Sequence, residues 1–88
     1  MPRIRYRMEA AMITEQEIAE LIRQQMPDAV VEAKEWGSAT GDHYDIRVVS
    51  TRFEGVALID RHRMVYSALD AALKDGRLHA AQLKTETP

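Results

Sequence analysis

The 88 residues suffice for one domain with a single small core. They exclude a two-domain enzyme or a large internal cofactor pocket. Hydrophobic residues make up 45% and charged residues 30%, an ordinary balance for a folded soluble domain, and the net charge of -2 implies no strongly acidic or basic binding surface. The chain has no cysteine, which excludes disulfides, a Cys nucleophile and a thiolate metal site made by this chain alone.

Residues 1–11 (MPRIRYRMEAA) read as a flexible tail, with Arg3, Arg5 and Arg7 set against Glu9 alone. Tyr6 and these arginines read as solvated, contact with nucleic acid or membrane being the lesser reading. No apolar run follows the arginines, so a secretory signal is not expected and a cytoplasmic location is the default. There is also no stretch of 18 apolar residues to span a membrane. The folded domain is expected over 12–88. Thr14-Glu15-Gln16-Glu17 has the form of a capping box, with Ile13 and Ile18 placed as a hydrophobic staple. Ile18, Leu21, Ile22 and Met26 follow helical spacing, and Pro27-Asp28 stops the run, so the first helix spans about 15–26.

Residues 29–36 (AVVEAKEW) predict a strand and Gly37–Asp42 a loop. In 43–50 (HYDIRVVS), Tyr44, Ile46 and Val48 alternate with His43, Asp45 and Arg47, which predicts a second strand. Phe53-Glu54-Gly55 forms the turn after it, with Phe53 as a turn anchor. An apolar stripe of Leu58, Val65, Ala68, Leu69, Ala72 and Leu73 predicts a helix over 58–75, closed by Gly76. Residues 78–85 make the last strand.

The order α-β-β-α-β gives an α+β fold with a three-stranded mixed sheet and two helices on one face. The short loop makes the first two strands antiparallel. The helical crossover makes the second and third parallel. Parallel neighbours start at the same end of a sheet, about 4.8 Å apart. His43 and His79, at the starts of those strands, are therefore expected on one rim. From spacing alone His79 reads first as a histidine hydrogen-bonded at a sheet end, whereas His43 reads equally as an exposed strand-end residue or a ligand.

Val49-Ser50-Thr51-Arg52-Phe53-Glu54-Gly55, Arg61-His62-Arg63-Met64-Val65-Tyr66, Leu78-His79-Ala80 and Lys84-Thr85-Glu86-Thr87-Pro88 resemble, in that order and spacing, the BolA family over about 13–88. The resemblance implies a fold akin to class II KH domains. It also implies a non-enzymatic partner of monothiol CGFS glutaredoxins that shares a [2Fe–2S] cluster with the glutaredoxin cysteine and a glutathione thiol, and holds no cofactor when alone. The family's C-terminal ligand histidine falls on His79. The second ligand, His or Cys, comes from the loop between the first two strands. GSATGD carries neither, and His43 at its end is the candidate. Replacing two thiolates by neutral imidazoles raises a cluster's reduction potential.

Arg61 and Arg63 suit an anion, a nucleic-acid phosphate or an acidic partner, and suit equally an ion pair with Asp60. His62 between them reads first as a packing or hydrogen-bonding residue. Trp36 reads as a core edge or a partner-facing anchor. The alternative function is a nucleic-acid-binding transcriptional regulator on the KH-like fold. It is weakened by the net charge and by the lack of a GxxG clamp. DNA and a homodimer stay open as partners; a membrane is not expected. A hydrolase or transferase is disfavoured by the absent cysteine and the lack of Ser–His–Asp spacing.

Overall fold

The computed structural model describes residues 13–35 and 43–88. The expected tail, Met12, Trp36 and the Gly37–Asp42 loop lie outside the described residues. The described elements are α1 (Glu15–Gln25), β1 (Val30–Glu35), β2 (His43–Val49), a 3-10 turn (Thr51–Phe53), α2 (Leu58–Ala68), α3 (Asp70–Lys74) and β3 (Ala80–Glu86).

Helix α1 begins where the capping box sets it. The Glu17 amide donates to Thr14 Oγ1 at 3.1 Å, and the Thr14 amide donates to Glu17 Oε1 at 3.0 Å. The helix ends at Met26, whose backbone (φ -132, ψ 83) has left the α region that a following proline disfavours. Ile18 and Ile22 are fully buried along its inner stripe.

The sheet order is β1-β2-β3, with β1 antiparallel and β3 parallel to the central β2. This is the expected topology. Tyr44, Ile46 and Val48 of β2 point into the core with Ile13, Phe53, Val65, Leu69 and Leu78, so the helices cover one face. The opposite face is polar. There Arg47 donates to Glu32 at 3.1 Å and to Glu86 at 2.9 Å, joining all three strands. This guanidinium holds the Glu86 carboxyl below its ordinary pKa.

Two expected boundaries change. The helix expected over 58–75 is interrupted at Leu69 (φ -94, ψ 5), whose amide is shared between Val65 and Tyr66 carbonyls. No Gly or Pro marks the break, and Leu69 at it and Ala72 beyond it are both buried. The last strand starts at Ala80 instead of 78. Leu78 is taken into the core, its amide donating back to the Ala72 carbonyl at 3.1 Å, so it is used by the helix end and not by the sheet. His79 consequently sits just ahead of the ladder.

Phe53 is fully buried, as a turn anchor should be. The turn around it is locked to the end of α1. Asp28 accepts from Ser50 Oγ, the Thr51 amide and Thr51 Oγ1, each at 2.8 Å, and the Arg52 guanidinium donates to the Gln25 carbonyl at 2.9 Å. The three donors, the Thr51 amide foremost, hold the Asp28 carboxyl below its ordinary pKa.

Candidate functional site: an imidazole pair at the sheet rim

His43 opens β2 and is paired in the ladder with Ala80. That register brings the residue before Ala80 to the same rim. The His43 and His79 rings lie with centroids 6.5 Å apart and planes at 86°. His43 is half-buried and His79 exposed.

The approach to His79 is built by a helix-ending turn. Gly76 takes φ +83, a left-handed conformation that costs glycine little. It also lies against the imidazole: a Cβ at this position would stand 3.9 Å from His79 Nε2. Arg77 then folds over Asp75, its Nε 2.9 Å from Oδ2. Leu78 plugs into the core, and His79 emerges next to His43.

Neutral imidazoles are ligands for borderline metals and for iron–sulfur clusters. Bonds of about 2.0–2.1 Å to one tetrahedral metal place two ring centroids roughly 5 Å apart. The 6.5 Å separation therefore lies within a small side-chain adjustment of joint ligation. Among the described residues no group of three His, Asp or Glu side chains gathers to hold a metal. Two nitrogens are what this part of the chain offers, and any remaining ligands come from outside that set. The donor set thus fits two positions of a tetrahedral coordination sphere.

The other sequence candidates are on α2. Arg61 faces inward: its Nε donates to the Val56 carbonyl at 2.8 Å, and its guanidinium lies 5.9 Å from the Phe53 ring centre. Arg63 is exposed and pairs with Asp60 at 3.3 Å. Residues two apart on a helix do not share a face, so these arginines form no common patch. His62 is half-buried between them. A shallow concavity of about 580 Å³ covers the polar sheet face between Glu32, Arg47 and Lys84; neither histidine lines it.

Two features near the pair escaped the sequence reading. Tyr44, beside His43, donates its hydroxyl to the Ile13 carbonyl at 2.9 Å within the core. Burial, and then Glu35, Glu15 and Glu17, keep that phenol protonated to higher pH than an ordinary tyrosine. Arg77 also reaches Glu17 at 3.8 Å. The inward phase of a tyrosine signals a buried hydroxyl that needs an acceptor, although not which one.

A mixed three-stranded sheet covered on one face by α1, α2 and α3, with two imidazoles on its rim, defines a small α+β domain. The BolA-like protein family model matches residues 14–88. The chain belongs to the BolA family. It is 31% identical to protein BOLA2 of Arabidopsis thaliana over 88% of this chain and 82% of that one. It is 44% identical to the chloroplastic/mitochondrial SufE-like protein 1 of the same plant over 59% of this chain, but spans only 15% of that protein. Among solved structures, a BolA-like protein from Babesia bovis superposes with a TM-score of 0.75 at 28% identity, covering 88% of this chain and 87% of that one. The BolA domain of Arabidopsis SufE1 gives 0.72 at 30% identity, covering 84% and 91%. Among the described residues no helix is long and apolar enough to cross a membrane.

Proposed function

We propose that this chain is a non-enzymatic adaptor in iron–sulfur cluster trafficking or iron regulation. It binds a monothiol CGFS glutaredoxin and supplies His79 and His43 to a [2Fe–2S] cluster whose other ligands are the glutaredoxin cysteine and a glutathione thiol. The observation that carries this reading is the pair of rings 6.5 Å apart on one rim. Similarity to the BolA domain of SufE1 supports an iron–sulfur context. Thiol ligands from the partner require a reducing compartment, and a cytoplasmic setting is part of the proposal.

Within the complex, this chain's residues present nitrogen and orient it. Gly76 turns the chain ahead of His79 through its left-handed backbone, and the core position of Leu78 fixes where the imidazole emerges. When bound, the cluster supplies redox-active iron, and neutral nitrogen ligands raise its potential over an all-thiolate site.

The test is reconstitution of the cluster on a CGFS glutaredoxin with glutathione, followed by visible absorption and circular dichroism as this protein is added. A new heterodimer spectrum that disappears with His79→Ala is expected. A spectrum unchanged by the added protein would exclude shared ligation. The nucleic-acid reading has weaker support, because Arg61 is engaged with Val56 and Phe53 and Arg63 with Asp60.

A further inference from the structure

The two histidine-bearing segments are tied to one place. Tyr44 follows His43 and sends its hydroxyl to the Ile13 carbonyl at 2.9 Å. Arg77, two residues before His79, holds Asp75 at 2.9 Å and reaches Glu17 at 3.8 Å. Ile13 and Glu17 bracket the start of α1, and Glu17 Oε1 is the acceptor that closes the cap at Thr14. Two links from different elements thus converge on one capped helical turn.

Each link acts where its histidine needs it. His79 precedes the β3 ladder, so the sheet does not set its position directly. Between α3 and His79 the chain makes a turn that holds Gly76; Leu78 anchors it in the core, and Arg77 ties it to the start of α1. The Tyr44 hydroxyl is buried, so its bond pins the start of β2 against the same support.

We propose that the capped start of α1, residues 13–17, is the gauge that sets the spacing of the two imidazoles, with Tyr44, Glu17 and Arg77 as positioning residues. This rests on the reading of His43 and His79 as joint ligands. Holding two ligands at their working distance before the metal arrives removes an ordering cost from binding. The Arg77–Glu17 pair is partly exposed and long, so it contributes little to global stability. Its loss should move His79 and leave the fold.

The test uses the protein without glutaredoxin, so its outcome is independent of whether the partner reading holds. Nickel(II) alone is titrated by calorimetry, and ring-proton NOEs between His43 and His79 are recorded. The wild type should bind nickel more tightly than His43→Ala and show the inter-ring NOE. Tyr44→Phe should weaken nickel binding by about threefold to tenfold, the range of one lost hydrogen bond, Arg77→Gln by about twofold to fivefold, the range of an exposed ion pair, and both should weaken the NOE. Arg77→Lys should restore part of the loss. Should Tyr44→Phe fail to fold, the comparison of Arg77→Gln with Arg77→Lys decides. Nickel affinity and NOE unchanged in Arg77→Gln, or a wild type no tighter than His43→Ala, would overturn the proposal.

Discussion

Asp28 and Thr85 show how single polar groups set the stability of this chain. Asp28 gathers three donors from the turn after β2. A carboxylate with a folded pKa below its unfolded value stabilises the fold above the unfolded value, about 3.9 for aspartate. That contribution is lost as the pH falls through the folded pKa. Glu86, held by Arg47, acts with the same sign. Urea unfolding midpoints should therefore drop as the pH is lowered below about 4, and Asp28→Asn should be less stable at pH 7 with a flatter acid limb. An acid limb identical to that of the wild type would remove Asp28 from this role. Thr85 is the opposite case. Its hydroxyl is buried, with no hydrogen-bond partner among the described residues. Exchanging an unpaired buried hydroxyl for a methyl of the same shape removes a desolvation cost of about 1–3 kcal/mol. Thr85→Val should match or exceed the wild type in urea unfolding, whereas a marked loss would reveal a partner for that hydroxyl.

At the scale of elements, the legible parts of the fold are those written in short-range chemistry. Thr14 and Glu17 announce the start of α1, Pro27 its end, and the alternation of Tyr44, Ile46 and Val48 the central strand. The interruption at Leu69 carries no local mark because Leu fits a continuous helix equally well. The role of Asp28 was likewise invisible, since its partners come from a turn after two intervening strands. The rim position of the histidines followed from crossover topology, and only the one-residue offset of His79 depended on where Leu78 packs. Two substitutions probe these devices by thermal or urea denaturation. Thr14→Ala should cost about 0.5–2 kcal/mol through the lost cap. Gly76→Ala forces a Cβ into the left-handed region at φ +83 and should cost about 1–2 kcal/mol. A Gly76→Ala protein as stable as the wild type would mean that the turn relaxes freely.

For the whole molecule, the division of labour follows from the sheet. One face is spent on the helices and the core, the other on the Arg47 ion pairs, and the rim is left to present His43 and His79. On the proposed reading, a partner docking at that rim completes the cluster's ligand set. The most direct measurement is pulsed electron paramagnetic resonance of the reduced mixed complex, prepared with 15N-labelled protein of this sequence and unlabelled glutaredoxin and glutathione. The account predicts 15N couplings from imidazole nitrogens of this chain, reduced in His43→Ala and abolished in the double variant with His79→Ala. A reduced cluster without 15N coupling would contradict it.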